Sequence, residues 1–235
     1  MKNASPAQMQ LLRATRWTWP EGLLWLIVFA LPWMLPGHAL IINEMAIAAL
    51  FAVSLDLVLG YAGIVTLGHA AFLGLGSYAA ALFAKHLHPD PLLGLMVGIC
   101  AGALLGALCS VTILRGSDLT RLMVTLGVTL LLYELANKLD GLTGGSDGLQ
   151  GVVMGPLLGR FDFDLYGQTA ASYSLTVLLM LFTLARRWVH SPWGATLMAV
   201  RDNPLRACAI GISVPARLST VYTLAAALAG AAGAL

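Results

Sequence analysis

The chain is a series of apolar runs separated by short polar or Pro/Gly-rich segments. Most runs approach the ~20 apolar residues that a helix needs to cross a bilayer, and they lack the two-residue alternation of barrel strands. The pattern therefore predicts an all-α, polytopic transmembrane helical bundle of about seven spans. The seven runs lie at 22–36, 38–59, 64–84, 91–114, 120–137, 172–187 and 213–235.

Composition agrees with this pattern. Hydrophobic residues make up 59% and charged residues 10% of the 235-residue chain, and the mean hydropathy is +0.83. Soluble domains average about 25% charged residues, so the chain belongs in membrane lipid. The net charge of +2 is too small to indicate a nucleic-acid partner. We expect residues 1–20 to form a retained cytoplasmic tail and residues 21–235 to form the transmembrane domain.

The distribution of Lys and Arg predicts the orientation. With a cytoplasmic N-terminus, simple alternation of the spans places ten of the thirteen basic residues on the cytoplasmic side. Only Lys85, Lys138 and Arg160 then lie on the other side, where the loop 138–170 carries four aspartates. The chain stops inside an apolar run at Leu235, so we also expect a bundle truncated at its C-terminus.

Residues 60–83, GYAGIVTLGHAAFLGLGSYAAALF, are apolar but contain five glycines and one histidine. Glycine weakens helices and adopts left-handed conformations at little cost, and broken helices supply polar backbone groups to transport paths. We therefore predict a broken or re-entrant helix that lines or gates a path. For His69 a structural hydrogen bond between helices is an open alternative to substrate contact. The predicted path residues are Gly60, Gly63, Thr66, Gly68 and His69.

Two further segments of the chain are rich in glycine. Gly94, Gly98, Gly102 and Gly106 recur every four residues and predict close helix packing, either inside the subunit or at a subunit interface. The segment 142–151, LTGGSDGLQG, lacks the lysine of a phosphate loop. It is either a permissive turn or an outer gate or docking surface, with Gly144, Gly145, Ser146 and Asp147 as its candidate residues.

Residues 190–217 form the most informative stretch on the side predicted to be cytoplasmic. Ser191-Pro192 is a helix-start signature, and the following turns are amphipathic. Such a helix lies on lipid or presents itself to a soluble partner. No nucleophile motif is present, and neither the histidines nor the three cysteines have metal-ligand or disulfide spacing.

Three stretches together resemble one family. The segments 60–82, 142–151 and 190–212 are similar, in order and spacing, to the second membrane subunit of bacterial branched-chain amino acid ABC importers. The resemblance runs from about residue 39 to the end of the chain. One departure is that the Glu-Ala-Ala opening of the family's coupling signature reads Leu205, Arg206, Ala207 here.

The resemblance implies a multi-pass subunit of the bacterial plasma (inner) membrane that has no ATPase activity and needs no cofactor of its own. Its implied partners are a second permease subunit, two ATP-binding subunits that carry ATP and Mg, and a periplasmic solute-binding protein. Residues 191–211 are similar to the cytoplasmic coupling loop. The implied coupling residues are Arg201, Asp202, Asn203, Pro204, Arg206 and Gly211.

Other functions stay open from the sequence. Within the ABC class, urea, short amides or other amino acids are alternative solutes. Outside it, the alternatives are a membrane-embedded enzyme that uses His69 and Asp56, and a passive channel or structural membrane subunit.

Overall fold

The computed structural model describes residues 19–113, 116, 118–157, 159–164 and 166–235. Most of the predicted N-terminal tail, and Arg115, therefore lie outside the described residues. Short 3₁₀ turns at Pro36–His38 and Gly145–Asp147 separate some of the helices. The α-helices are α1 (Trp19–Met34), α2 (Ala39–Asp56), α3 (Ala70–His86), α4 (Pro91–Ile113), α5 (Asp118–Lys138), α6 (Asp140–Thr143), α7 (Gln168–Val189), α8 (Pro192–Asp202), α9 (Pro204–Ala209) and α10 (Val214–Ala234).

The prediction of an all-α membrane bundle is confirmed. Within the described residues the β structure is limited to an isolated bridge between Leu157 and Phe161. Each predicted apolar run corresponds to one helix. Among the residues that the structure describes, four of these helices are long and apolar enough to cross a membrane: α2 with the turn that extends it, α4, α5 and α7. Helices α1 and α3 have 16 and 17 residues, and α10 carries Arg217 in its first turn.

The helix expected over 64–84 begins six residues later than its apolar run. Helix α2 continues into a π-helical turn, Leu57–Tyr61, and residues 62–69 are not helical before α3 starts at Ala70. Gly63 has φ = +69°, a left-handed conformation that L-residues with a side chain avoid. Residues 64–69 are as apolar as α3, so hydropathy could not show that they lie outside the helix. We call residues 62–69 the break.

Helices α3, α4 and α10 form the most closely packed layer. A Cβ added to Gly230 would overlap the carbonyl oxygen of Gly98, and a Cβ added to Gly98 would lie against the carbonyl oxygen of Gly230. The Cβ on Gly230 would also be 3.1 Å from the Gly102 Cα. Gly76 of α3 meets the backbone of Gly230 in the same way. Bare backbones in lipid approach closely and gain van der Waals contact. We call this region the glycine seam.

A second layer contains α1, α2 and α7. Near the start of α1, Glu21 accepts hydrogen bonds from Arg186 of α7, with the Arg186 Nη1 to Glu21 Oε2 distance at 2.6 Å. Helix α5 is poorly covered by the rest of the chain, because only 6% of its membrane-spanning window is buried.

The chain has two distinct ends. The start of α1, the end of α2 and the end of α7 lie together with α8 and α9 at what we call the α8 end. The turn after α3 and the loop between α5 and α7 lie at the opposite, loop end, where Gly155 N donates to Pro89 O at 2.7 Å. The basic residues of α7, α8, α9 and α10 thus share the α8 end, while Lys85 and Lys138 lie at the loop end, as alternation predicts.

Candidate functional site

The break is an extended segment with two different sides. Ala62 and Ile64 are buried, whereas Gly63, Val65 and Leu67 are exposed. Burial therefore alternates with a period of two residues, as in a strand packed on one side only. Val65 and Leu67, which sequence reasoning did not single out, present an apolar edge outside the folded chain.

The first backbone N–H groups of the break donate to carbonyls of the preceding helical turn, and later ones are bound by hydroxyl groups. The Leu67 N–H donates to Thr125 Oγ1 of α5 at 3.3 Å, and the Gly68 N–H donates to Thr66 Oγ1 at 3.2 Å. Gly68 also needs to be a glycine, since a Cβ there would lie 2.7 Å from Thr129 Oγ1. The spacing of Thr125 and Thr129 by four residues in an apolar helix was the signal that could have identified them.

His69 lies in the packed interior at the end of the break. Its side chain is 2% exposed, and its ring is 5.5 Å from that of Phe51 and 5.4 Å from that of Phe72. The Nε2 atom is 3.0 Å from Ser54 Oγ. Because the Ser54 hydroxyl already donates to Phe51 O at 2.6 Å, its oxygen must accept from His69, which requires the Nε2–H tautomer. This geometry supports the structural alternative for His69.

The coupling-loop candidates form two short helices at the α8 end. Asn203 caps α9, because its Oδ1 accepts from the Arg206 N–H at 2.9 Å. Leu197 and Val200 are buried and attach α8 to the bundle, whereas Leu205 is 84% exposed. Asp202, Pro204, Arg206 and Gly211 are exposed, and Gly211 ends the region with φ = +86°.

The structure brings two of the predicted regions into contact. Arg201 Nη1 donates to the carbonyl oxygen of Gly60 at 2.5 Å, although the residues are 141 positions apart. A Cβ on Gly63 would lie 2.8 Å from Arg201 Cγ. The other guanidinium nitrogens, Nε and Nη2, each donate to Asp202 Oδ1 at 3.2 Å. The candidate site is therefore the break together with the C-terminal end of α8.

A cavity of about 520 Å³ lies beside this contact, between α1, the end of α2 and α7. Asp56, Tyr61 and His190 line it together with the Glu21–Arg186 pair. Asp56 also occupies the space where a Gly60 side chain would be, so a glycine at position 60 leaves room for that carboxylate.

The remaining predicted residues lie away from the break. Gly144 and Gly145 have φ of +78° and +58° and belong to the turns at the loop end, where Ser146 and Asp147 are exposed. Lys85 Nζ donates to Gln150 O at 3.1 Å beside them. Gly98, Gly102 and Gly106 face α10. Gly94 makes a looser contact, because a Cβ added there would lie 3.8 Å from the Cβ of Ala80.

Within the described residues, no group of three or more His, Cys, Asp or Glu side chains is placed to hold a metal ion. The three cysteines are free thiols, with Cys109 buried and the other two exposed. The site offers backbone carbonyls, hydroxyls, one guanidinium and apolar edges, a set that fits binding and movement better than bond cleavage.

Comparisons with known proteins agree with this assessment. The family model for the permease component of branched-chain amino acid transport systems matches residues 38–235. The high-affinity branched-chain amino acid transport system permease protein LivM of Salmonella typhimurium is 28% identical over 237 residues, which cover 89% of this chain and 54% of that protein. LivM of Escherichia coli K12 is 28% identical over 240 residues, covering 89% and 55%. The chain thus spans about half the length of these relatives. No solved structure gives a significant match.

Proposed function

Because the chain belongs to the family of branched-chain amino acid transport permease components, we propose that it is a membrane subunit of an ATP-driven importer of branched-chain or similar hydrophobic amino acids. The observation that carries the proposal is the contact between the break and α8, since it joins a candidate solute path to a candidate docking segment. An enzyme would need a reactive constellation at this place instead.

A branched-chain amino acid is a zwitterion with an aliphatic side chain. Its path needs hydrogen-bond donors for the carboxylate, acceptors for the ammonium and smooth apolar walls. The break supplies backbone groups outside a helix together with the exposed Val65 and Leu67. In this proposal Gly60, Gly63, Thr66 and Gly68 shape the path, and His69 holds its inner wall against α2.

The exposed edge of the break faces away from the folded chain, and α5 beside it is mostly uncovered. Both features support a path that runs along a second permease subunit, which would cover them. The exposed residues of α8 and α9 would contact an ATP-binding subunit, with ATP and Mg held there and not by this chain. A solute-binding protein would dock at the loop end near residues 144–147.

In this arrangement the α8 end is cytoplasmic, and so is the N-terminus. The concentration of arginines at that end supports the orientation, because cytoplasmic loops carry an excess of Lys and Arg. The membrane is then the bacterial inner membrane, where a periplasmic binding protein and cytoplasmic ATPases are both within reach.

The test is uptake of radiolabelled leucine into proteoliposomes. The chain is reconstituted together with a partner permease, ATP-binding subunits and a solute-binding protein, and ATP is supplied on the side of α8. We expect uptake that requires both ATP and the binding protein. Uptake without ATP would overturn the proposal in favour of a channel, and uptake of urea but not leucine would overturn the substrate class.

A crosslinking experiment tests the docking surface separately. Single cysteines are placed at Asn203 and, as a control at the loop end, at Ser146, in a background without the native cysteines. We expect the cysteine at position 203 to crosslink to an ATP-binding subunit and the cysteine at position 146 to remain unlinked to it. Crosslinking from position 146 alone would reverse the proposed orientation.

A further inference from the structure

We infer that Arg201 transmits movement of α8 to the break, so that it is the positioning residue that couples ATP-driven motion to the solute path. The inference rests on the proposed function and adds the specific link within it. Four features of the structure carry it: the acceptor, the fit at Gly63, the attachment of α8 and the attachment of the break.

The acceptor is a carbonyl that the helix leaves without its usual partner. The last carbonyls of a helix lack intrahelical donors, and the helix dipole makes that end partly negative. Here Ala62 N donates to Leu57 O and Ile64 N to Val58 O, while the Gly60 carbonyl receives the Arg201 guanidinium. A charged donor makes this hydrogen bond about twice as strong as a neutral one.

The fit at Gly63 makes the link close in space. Gly63 has φ = +69°, and a Cβ there would meet Arg201 Cγ at 2.8 Å and Cδ at 3.5 Å. The stem of Arg201 therefore rests on Gly63 of the break, while its guanidinium binds the carbonyl of Gly60, the second-last residue of the π-helical turn. A displacement of Arg201 must change the backbone on both sides of Tyr61.

Helix α8 is attached to the bundle at its start, and its last residue holds the Arg201 side chain. At its start Trp193 stacks on Trp188 of α7, with ring centroids 3.8 Å apart, and the Arg217 guanidinium of α10 lies 5.3 Å from the Trp193 ring. At its end Asp202 holds two nitrogens of Arg201. The guanidinium is thus positioned by α8 and not free to follow the break independently.

The break carries the displacement further into the bundle. Its Leu67 N–H is bound by Thr125 of α5, and its last residue, His69, is bound by Ser54 of α2. A shift that starts at Gly60 can therefore reach the exposed Val65 and Leu67, because residues 62–69 are not held in a helix.

The link is tested first by distance measurement on the full chain in lipid nanodiscs. Spin labels are placed at Val65 and Leu205, both exposed, in a background without the native cysteines. We expect Arg201→Ala to broaden or shift the distance distribution. Arg187→Ala, an exposed arginine at the same end, should leave it unchanged. An unchanged distribution in Arg201→Ala would overturn the link.

The second measurement is coupling in the assembled transporter, with leucine uptake and ATP hydrolysis recorded together. We expect Arg201→Ala to lower leucine taken up per ATP by about 10-fold, the loss that corresponds to one charge-assisted hydrogen bond, with ATP hydrolysis retained. Arg201→Lys, which keeps a charged donor, should recover part of it. A shifted label distance with unchanged coupling would overturn the transmission role.

A double substitution separates contact from backbone strain. Gly63→Ala strains the backbone in any background, but its Cβ meets the arginine stem only when Arg201 is present. We expect Gly63→Ala to reduce uptake more strongly in the wild-type background than in the Arg201→Ala background; equal reductions would overturn the close fit. If wild-type transporter takes up no leucine while the label distance still depends on Arg201, the proposed function fails and the structural link stands.

Discussion

The glycine seam and the break are both rich in glycine, yet they use it in opposite ways. In the seam, glycines lie inside regular helices and allow the backbones of α4 and α10 to touch, as at Gly98 and Gly230. In the break, Gly63 adopts a left-handed conformation, and neighbouring backbone groups depend on hydroxyls and one guanidinium. The seam leaves no room for side chains between its helices, whereas the break exposes the side chains of Val65 and Leu67.

The difference shows where this chain can move. Close-packed interiors resist deformation, since displaced atoms lose many small contacts at once. A segment held by a few hydrogen bonds can exchange them with little cost per step. We therefore expect substitutions in the seam to act mainly on stability and substitutions in the break to act mainly on transport.

The largest expected effect is that of Gly230→Leu in the seam. The new side chain would overlap the backbone of α4, and overpacking of this kind costs about 3 kcal/mol or more. We expect the melting temperature in detergent to fall by roughly 10 °C, or the folded protein to be lost. Gly74→Leu on α3 is the matched control, because open space surrounds that position. Equal melting temperatures of the two variants would contradict the seam.

The next effect is that of His69→Ala. Removing the imidazole leaves a cavity between Phe51 and Phe72 and should cost about 2–4 kcal/mol. Ser54→Ala keeps the ring but removes its partner, with a smaller expected cost of about 1–2 kcal/mol. Thermal unfolding and leucine uptake are measured together. A His69→Ala protein as stable as wild type but without uptake would show that His69 contacts the solute instead.

Thr125→Val is a smaller, nearly isosteric change in the support of the break. The Leu67 N–H loses its acceptor, and the expected cost is about 1 kcal/mol. Hydrogen exchange should accelerate in residues 62–69 and stay unchanged in the seam. Acceleration in both regions alike would mean that the break is not an independent unit.

The smallest effect is expected at the loop end, outside both regions. The Thr169 N–H in the first turn of α7 donates to Asp164 Oδ1 at 3.1 Å, and this hydrogen bond lowers the pKa of Asp164. A lowered folded-state pKa stabilises the fold above the ordinary aspartate value of about 3.9, and this stabilisation is lost as the pH falls through the folded-state pKa.

We therefore expect Asp164→Asn to lower the melting temperature slightly at pH 7 and by less at pH 3. Because the carboxylate is exposed, solvent screening makes the effect small. Seam and break variants should keep their deficits at both values. An Asp164→Asn deficit that is the same at pH 3 as at pH 7 would show that the carboxylate charge has no role.

Much of the fold followed from local pattern. Hydropathy located the apolar helices, and the glycines at positions 60, 63 and 68 located the interruption after α2, because backbone conformation depends on a residue and its near neighbours. The start of α3 was misplaced by six residues, since residues 64–69 are as apolar as the helix that follows. Hydropathy indicates whether a segment prefers lipid or water, but it does not indicate whether the segment is helical.

The site was only partly visible in the sequence. Thr125, Ser54 and the exposed Val65 and Leu67 belong to it but carry no distinctive motif. The pattern of residues 190–217 predicts a short amphipathic helix between spans, yet nothing local indicates that Arg201 turns back toward the break. The four-residue repeat of Gly94 to Gly106 predicted a packing face without naming α10 as its partner.

Hydropathy, glycine positions and the distribution of arginines already indicate a helical membrane protein, the place where a helix is interrupted and the end that carries the arginines. These properties depend on side-chain solubility and on backbone preferences that act within a few residues. The packing of the folded chain was needed to show that α10 lies on the glycine face of α4, that His69 lies between aromatic rings, and that Arg201 binds the Gly60 carbonyl 141 positions away. Such pairings depend on how whole helices pack, because a glycine face or a guanidinium fits many partners until shape and distance select one.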